Sequence, residues 1–362
     1  METISLITKI HTRLEEYNRY YYGPYPDIIF KFEQQFFASK LLSAVKISDL
    51  SLLFKANLPD IENVINAPIY ETFHIPKKKG GSRLIQAPED QLMMMQSRLN
   101  FYLQNYYHLL RPQCVHGFVI NPNKKEKVCN IVENAKIHVH QKYVLNLDLK
   151  DFFPSIKAYR VKELFLSDYF RYSEQVAIAL ALLVTYEGKL PIGAPTSPVI
   201  SNFICLELDE ALSAYCIKNE IRYSRYADDL TFSSNQSISK VQFADLIAII
   251  EKNQFELNVK KTRLKSINRK QTVTGLVVNE KVNVDRNIIK MVRAMLHDTL
   301  QKGISKAAKN HFKSRNEISN TSETYFLNRL EGYINFIAQV RGDDDAMVMK
   351  FRHHYKMIFQ LA

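Results

Sequence analysis

Residues 221–234 read IRYSRYADDLTFSS, two short runs of β-prone residues on either side of Asp228 and Asp229. Tyrosine, threonine and phenylalanine suit strands, so this stretch predicts a β-hairpin with both acids at its tip. Upstream, residues 143–149 read YVLNLDL and predict a buried strand that ends at Asp148. The two stretches therefore place three carboxylates at the ends of strands.

These three carboxylates admit two interpretations. An acid at a strand end is typical of a cap or a turn former, which would make each of them structural. Two acids at a hairpin tip beside one from a neighbouring strand can also hold two divalent ions, roughly 3.5–4 Å apart. Mg²⁺ prefers such hard oxygen ligands and readily shares substrate phosphates. The second interpretation predicts nucleotidyl transfer by metal ions that Asp148, Asp228 and Asp229 bind.

Basic residues lie where such chemistry would need them. Residues 70–88 predict a hairpin around a Gly-Gly turn, with Lys77 before the turn and Arg83 at the start of the second strand. An ammonium and a forked guanidinium can bind a triphosphate. A second cluster, Lys260 and Lys261 in LNVKKTRLK, could supply a general acid to the departing pyrophosphate. A solvated basic surface is the alternative for both clusters, and we favour it for the two lysines that follow Lys77.

Composition excludes several classes of protein. The 362 residues include 49 Lys and Arg against 37 Asp and Glu, a net charge of +12 that suits a polyanionic partner. The ten glycines show neither the G-x-G spacing of dinucleotide-binding folds nor that of a P-loop. The four cysteines lack zinc-ligand spacing and predict buried thiols in a reducing compartment. Without a membrane-length apolar run or a signal-peptide pattern, we expect a cytoplasmic protein with no membrane partner.

The remaining segments predict an α+β fold with a central mixed sheet and helical ends. Residues 1–65 and 92–110 show helical spacing of apolar residues, and the chain is helical and basic from about residue 285. Ser197 and Pro198 predict an N-cap followed by proline at the first helical position. VTGLVVN, residues 273–279, predicts one further strand.

These motifs resemble those of reverse transcriptases, in the order that the family shows them. LNLDLKDFF resembles the first catalytic motif, LPIGAPTSP the template- and nucleotide-positioning motif, and RYADDLTFS the Y-x-D-D motif. LNVKKT and VTGLVVN resemble the lysine-bearing and primer-grip motifs, and HIPKKKGGSRLIQAP resembles the fingers hairpin. The resemblance covers roughly residues 70–280. It implies a right-hand polymerase with fingers, palm and helical thumb, two Mg²⁺ ions and deoxynucleoside triphosphate substrates.

The resemblance assigns roles to individual residues. Phe153 matches the bulky residue that screens out a nucleotide 2′-hydroxyl, whereas neighbouring Phe152 fits a core position. The metal-binding carboxylates correspond to Asp148, Asp228 and Asp229, and the triphosphate-binding residues to Lys77 and Arg83. The motif lysine corresponds to Lys261. The positioning loop corresponds to Gly193, Ala194 and Pro195. Ile192 departs from the family, which often has glutamine before that glycine.

Two further motifs resemble those of retron reverse transcriptases. NAKIH, from Asn134 to His138, resembles their N-A-x-x-H motif, and Val273, Thr274 and Gly275 resemble their V-T-G triplet. We assign these residues to RNA recognition. The resemblance implies a structured non-coding RNA that is both primer and template, a branched, RNA-linked single-stranded DNA product, and a separate effector protein in anti-phage defence.

The implied domains are an N-terminal helical region at 1–65, fingers at 66–142, palm at 143–283 with some fingers helices, and a thumb at 284–362. Basic residues recur from Lys290 to Arg315, and the aromatics Phe312, Tyr325 and Phe326 lie among and after the later ones. This pattern suits an RNA grip, with a solvated helix face as the alternative. Two other functions stay open. One is another bacterial reverse transcriptase of abortive-infection or group II intron type, and the other is a non-catalytic RNA-binding protein on a polymerase fold.

Overall fold

The computed structural model describes residues 33–77, 80–120, 129–311 and 323–360. The predicted lysines at 78 and 79, the end of the basic segment from 312 and the first 32 residues lie outside this part. No helix of the described residues has the length and apolarity needed to cross a bilayer. All four cysteines are free, but only Cys205 and Cys216 are fully buried, so the expectation of four buried thiols holds for two of them.

The strands form three sheets. Two strands make an antiparallel hairpin, four strands make the sheet that carries the acids, in the order β4-β5-β3-β6, and two very short strands pair with each other. Their bounds are β1 (Tyr70–Pro76), β2 (Ser82–Pro88), β3 (Tyr143–Asp148), β4 (Arg222–Tyr226), β5 (Asp229–Ser234), β6 (Arg263–Ser266), β7 (Thr272–Val273) and β8 (Leu276–Val277).

The first hairpin confirms the sequence prediction for residues 70–88. Strands β1 and β2 pair antiparallel from Tyr70↔Pro88 to Pro76↔Ser82. Gly80 and Gly81 have φ of +89° and +79°, a left-handed conformation that glycine adopts without steric cost. The turn therefore depends on the two glycines, and it leaves Lys77 beside the tip.

Helices occur in the described parts of the stretches predicted to be helical, whereas two short ones, Ile131–Lys136 and Phe152–Ser155, were not predicted. Those up to residue 218 are α1 (Glu33–Leu42), α2 (Leu50–Phe54), α3 (Leu58–Asn66), α4 (Asp90–Leu110), α5 (Ile131–Lys136), α6 (Phe152–Ser155), α7 (Ala158–Leu166), α8 (Glu174–Val184), α9 (Ser197–Ile204) and α10 (Leu206–Lys218). The later ones are α11 (Lys240–Lys252), α12 (Arg286–Lys302), α13 (Ile304–His311), α14 (Glu323–Arg341) and α15 (Ala346–Gln360). With the sheets, they confirm the α+β class.

Two local predictions need correction. Helix α9 begins at Ser197 with Thr196 as its N-cap, one residue earlier than predicted, because the Ser197 hydroxyl donates to the Pro191 carbonyl oxygen and does not cap the helix. Residues 273–279 are not one strand but parts of a tight hairpin. Thr274 and Gly275 form its two-residue turn with φ of +47° and +86°, as a type I′ turn requires.

The chain divides into two compact units. The first contains the described residues up to Cys129 together with Asn146–Thr231 and Ile238–Thr262. Its core includes packed rings of α4, α7 and α9, where Tyr106, Phe165 and Phe203 all contact Phe170. Helices α4 and α9 thus both pack against Phe170 in the core of this unit.

The second unit contains Asn130–Leu145, Phe232–Ser237 and the described residues from Arg263 onward. Its core joins α5, β7 and β8 to the four C-terminal helices. Buried apolar residues fill it, including Val132, Val144, Val273, Leu276, Leu296, Phe326 and Ile337. The predicted boundaries of fingers, palm and thumb stay a prediction.

Candidate active site

The hairpin of β4 and β5 confirms the prediction from residues 221–234, and its tip holds the two adjacent acids. Ala227 adopts φ of +58° at the turn. The backbone of Arg225 donates to the Cys114 carbonyl oxygen at 2.8 Å, and its own carbonyl oxygen accepts from His116 at 2.9 Å. Strand β4 is therefore bridged at Arg225 to the segment around residue 115.

A buried ion pair lies beneath this tip. Arg225 and Asp209 are both 0% exposed. The guanidinium donates to both carboxylate oxygens of Asp209, with Nε–Oδ1 of 2.8 Å and Nη2–Oδ2 of 2.6 Å, and Tyr223 donates to the same carboxylate. Nη1 of Arg225 also reaches the carbonyl oxygen of Ala227 at 3.3 Å. One fully paired charge thus contacts the turn that presents Asp228.

Gly117 makes the approach of the two segments possible. A Cβ atom at this position would lie 2.4 Å from the backbone nitrogen of Ala227. No side chain fits there, because the obstructing atoms belong to the backbone of the hairpin. The glycine is required here for close packing and not for an unusual dihedral angle.

Asp148 ends β3 beside the hairpin. The backbone of Leu149 donates to the Asp228 carbonyl oxygen at 3.0 Å, and Asn258 donates to the Asp148 carbonyl oxygen at 2.8 Å. Lys261 follows Asn258 in a short 3-10 turn, and its Nζ lies 2.8 Å from both carboxylate oxygens of Asp148. Four of the residues named from the sequence, Asp148, Asp228, Asp229 and Lys261, therefore lie in one site.

The electrostatics of the site show uncompensated negative charge. Burial, and after it the charge of Asp148, raises the pKa of Asp228. Burial, followed by the charges of Asp228 and Asp148, raises the pKa of Asp229 to about 6. The hydrogen bond to Asp148 raises the pKa of Lys261, which stays protonated at neutral pH. One ammonium thus faces three carboxylates, all of which are hard oxygen donors of the kind that divalent cations take.

The carboxylates do not form a finished metal cage. Among the residues that the structure describes, no three His, Cys, Asp or Glu side chains are grouped so as to hold a metal ion by themselves. Both oxygens of Asp148 are engaged by Lys261. The donor chemistry fits a divalent ion, whose binding would require the Lys261 ammonium to share or release this carboxylate.

Phe153 lies on the single helical turn α6, close to the end of β3. Its ring is half-buried and packs against Phe152, with centroids 5.4 Å apart, and against Phe118 at 5.7 Å. Phe152 is 5% exposed, which confirms its prediction as a core residue. The partly open ring of Phe153 is available to a ligand, whereas that of Phe152 is not.

The two phosphate candidates differ in their surroundings. Both Lys77 and Arg83 are exposed on the first hairpin. The positive charge of Arg83 lowers the pKa of Asp228, in opposition to burial, so Arg83 acts electrostatically on the acidic site. The structure gives Lys77 a role only in the turn, where its backbone pairs with Gly81 at 2.9 Å.

The positioning loop packs against the same hairpin. The backbone of Gln86 donates to the Ile192 carbonyl oxygen at 2.7 Å. Gly193 has φ of +125°, and a Cβ atom there would lie 2.9 Å from the Ile85 side chain and 3.0 Å from the Gln86 carbonyl oxygen. Ala194 is buried and Pro195 half-buried. The side chain of Ile192 is thus unnecessary for the contact, which its backbone makes.

The two motifs assigned to RNA recognition meet in the second unit. Asn134 and His138 are 1% and 0% exposed, and the His138 ring lies 2.7 Å from the Ser233 hydroxyl. The Thr274 hydroxyl reaches the Ile131 carbonyl oxygen at 3.4 Å, so the β7–β8 turn contacts α5. Val273 is buried, and Gly275 lies in the turn. These side chains shape a packed surface, and their part in RNA recognition stays a prediction.

The family model described as reverse transcriptase (RNA-dependent DNA polymerase) matches residues 75–284, more than half of the chain. The chain belongs to the reverse transcriptase family. Its α+β architecture is accordingly of the right-hand polymerase class, as predicted. Enzymes of this family in general use divalent metal ions and copy RNA into DNA.

Similarity to curated bacterial proteins narrows the assignment within the reverse transcriptase family. It is 36% identical over 247 residues to the Retron Mx65 reverse transcriptase of Myxococcus xanthus, a match that covers 63% of this chain and 55% of that protein. It is 32% identical over 253 residues to the Retron Ec73 reverse transcriptase of Escherichia coli, covering 64% and 76%. The chain is therefore a retron-type reverse transcriptase, although it spans only about half the length of the Myxococcus relative.

Among solved structures, a Candida albicans telomerase bound to a fragment of telomeric RNA matches with a TM-score of 0.45 and 10% identity. That match covers 82% of this reverse transcriptase and 64% of the telomerase chain.

Sequence reasoning missed three residues of this reverse transcriptase that support the site. Arg225, Asp209 and Asn202 are fully buried, and Arg225 Nη1 donates to Asn202 Oδ1 at 3.0 Å. Arginine and aspartate are rarely buried, so their residue types predict an exposed position. The available signal was the arginine directly before the Y-x-D-D motif, inside a strand of otherwise β-prone residues.

Proposed function

We propose that this protein is the RNA-directed DNA polymerase of a retron and joins deoxynucleotides on an RNA template by two-metal nucleotidyl transfer. The observation that carries the proposal is the meeting of Asp148, Asp228 and Asp229 with Lys261 beside the partly open ring of Phe153. Three coupled carboxylates without an equal number of cations suit divalent ions better than a purely structural cluster.

Each residue has a defined part in the proposed reaction. Two Mg²⁺ ions held by Asp148, Asp228 and Asp229 would supply activation of the primer hydroxyl and neutralisation of charge on the pyrophosphate. Lys261 orients the Asp148 carboxylate and keeps a positive charge at the site. Arg83 and Lys77 neutralise the triphosphate from the hairpin, and Gly193, Ala194 and Pro195 lie where the loop touches that hairpin.

Phe153 would select the sugar. A bulky ring beside the nucleotide leaves no room for a 2′-hydroxyl, so the enzyme would make DNA. Its position, packed against Phe152 and Phe118 and still half-buried, supports this role.

The proposal extends to partners. We infer a cytoplasmic enzyme that uses deoxynucleoside triphosphates and a structured non-coding RNA as primer and template. The product would be branched, RNA-linked single-stranded DNA, with a separate effector protein completing an anti-phage system. The retron relatives and the net charge of +12 support a nucleic-acid partner.

The deciding experiment purifies the protein from cells that carry its native locus and analyses the bound nucleic acid. We expect a short single-stranded DNA of defined length whose mobility changes after treatment with RNase and debranching enzyme. Asp228→Ala and Asp229→Ala should abolish it. Asp344→Asn, which removes a carboxylate from an exposed turn, should not.

The alternatives predict different results. DNA that persists in both aspartate variants contradicts the site. Extension of an unrelated primer without any branched product supports a polymerase of another bacterial class. RNA that copurifies without DNA supports a non-catalytic binding protein.

A further inference from the structure

Phe118 is a second ring that packs against Phe153, in addition to Phe152. The centroids of Phe118 and Phe153 are 5.7 Å apart, and the ring planes are inclined by 32°. Phe118 is half-buried and has φ of +58°. A bulky residue in the left-handed region costs free energy, and such conformations persist where surrounding contacts fix them.

The contacts that fix Phe118 come from two buried amides. Its carbonyl oxygen accepts from Asn202 Nδ2 at 3.3 Å and from Gln104 Nε2 at 3.2 Å. Asn202 Nδ2 also donates to the Gly117 carbonyl oxygen at 3.1 Å. The backbone of residues 117 and 118 is thus tied to α4 and α9.

The side-chain amide of Asn202 cannot rotate to release this backbone without losing a further hydrogen bond. Its Oδ1 accepts from Arg225 Nη1 at 3.0 Å, while Arg225 is held in turn by Asp209. Both ends of the amide are used, and the residue is 0% exposed. The Arg225–Asp209 ion pair beneath the β4–β5 hairpin therefore also fixes the position of Phe118.

The helix that carries Phe153 is short. Helix α6 contains four residues, a single turn that has no independent stability. To exclude a ribonucleotide, the Phe153 ring must keep its position against the 2′-hydroxyl. Packing against neighbouring side chains fixes that position.

We propose that Phe118 is a second specificity-determining residue for the nucleotide sugar, acting through Phe153, with Asn202 as the residue that positions it. The inference rests on the proposed polymerase function and on Phe153 as the residue that excludes the 2′-hydroxyl. It adds that exclusion depends on a ring 35 residues away in sequence, held by the same network that holds the Y-x-D-D hairpin.

The test compares kcat/KM for a deoxynucleotide and for the matching ribonucleotide on an RNA template. Phe118→Ala should lower the preference for the deoxynucleotide by roughly three- to tenfold, as expected for the loss of one aromatic pair. Phe153→Ala should lower it further. The double variant should match Phe153→Ala alone, because Phe118 has no effect once the ring it supports is gone.

Two variants separate this effect from general damage. Phe118→Leu keeps apolar volume without a flat ring and should fall between the wild type and Phe118→Ala. Phe255→Leu removes a buried ring that packs on Phe152, with centroids 5.8 Å apart, and should lower thermal stability without changing sugar preference.

The outcomes are distinguishable. Unchanged preference in both Phe118 variants, with relaxed preference in Phe153→Ala, overturns the inference and leaves the role of Phe153 intact. Equal loss of preference in Phe118→Ala and Phe255→Leu also overturns it. A wild-type protein that extends no primer, or a Phe153→Ala variant with unchanged preference, contradicts the proposed function itself.

Discussion

Lys261 lies 113 residues from Asp148 in sequence, yet its ammonium contacts both oxygens of that carboxylate. Its side chain is 57% exposed, whereas that of Asp148 is 11% exposed. An exposed ammonium over a buried carboxylate can be replaced there by a metal ion and can then bind a phosphate. The neighbouring Lys260 has no such contact among the described residues and offers a matched comparison.

We expect Lys261→Met to lower the rate of primer extension by about 100-fold or more, the range found when a positioned acid or charge is removed from a reacting centre. Lys260→Met should change the rate severalfold at most. Lys261→Arg separates two roles, because a guanidinium keeps the charge but does not donate a proton readily. Recovery in the arginine variant would show that charge is what matters.

Asp229 allows a prediction about stability and pH. Its pKa is raised to about 6, above the ordinary value of 3.8, so the folded state binds the proton more tightly than the unfolded state. Stability from this group is fully present below pH 4 and is lost as the pH rises through 6. In metal-free protein, Asp229→Asn should therefore raise Tm at pH 7 and have little effect at pH 4.

Added Mg²⁺ should reduce this difference, because a bound cation offsets the same charge. Thermal melts at both pH values, with and without Mg²⁺, check the prediction. Asp344→Asn is the control. A gain in Tm at pH 4 equal to that at pH 7 would show that ionisation of Asp229 is not the cause.

The β4–β5 hairpin depends, as an element, on the absence of a side chain at Gly117. Gly117→Ala places a Cβ atom 2.4 Å from the Ala227 nitrogen. We expect a loss of about 1–3 kcal/mol in the free energy of unfolding and a displaced turn with reduced activity. Denaturant unfolding and primer extension measure the two effects.

Gly332→Ala is the control for Gly117→Ala. Gly332 lies within α14, and a Cβ atom there would meet nothing within 4 Å. Gly332→Ala should raise the free energy of unfolding by up to about 1 kcal/mol and leave activity unchanged. Equal effects in the two variants would rule out the close approach at Gly117 as the cause.

The elements show how far the sequence can be interpreted. The hairpin at 222–234 and the strand ending at Asp148 were predictable, since their side chains favour strands and their acids interrupt apolar runs. The turn at Thr274 was not, because a β-branched residue disfavours the left-handed region and so gives no turn signal. Asn202 and Arg225 meet only through tertiary packing, which no local pattern encodes.

At the scale of the whole molecule, part of the net charge of +12 lies along one helix of the described residues. Arg286, Lys290, Arg293 and His297 follow each other at intervals of four, three and four residues, and all are exposed on α12. This spacing puts them on one face. In the described part of the chain, Lys290 and Arg293 lie near no carboxylate, whereas Lys162 and Lys270 are paired with Glu174 and Asp285.

We expect Lys290→Gln/Arg293→Gln to weaken binding of a short RNA–DNA duplex. The slope of log affinity against log salt should become shallower by about 1.5, since each phosphate contact contributes roughly 0.7–0.9. Titrations between about 50 and 300 mM salt check this. Lys162→Gln/Lys270→Gln removes the same charge and should leave the slope nearly unchanged. Parallel slopes for the two double variants would contradict a contact on α12.

The division into two units has a consequence for synthesis on the ribosome. Every segment of the first unit has been made once Thr262 is added, whereas the second unit still needs α12–α15. At about 5–20 residues per second, those helices take several seconds more. Until then Val132, Ala135 and Val144, which belong to the core of the second unit, lack their partners. The nascent chain therefore carries, between two sequence segments of the first unit, an apolar segment that stays uncovered until the C-terminal helices are made.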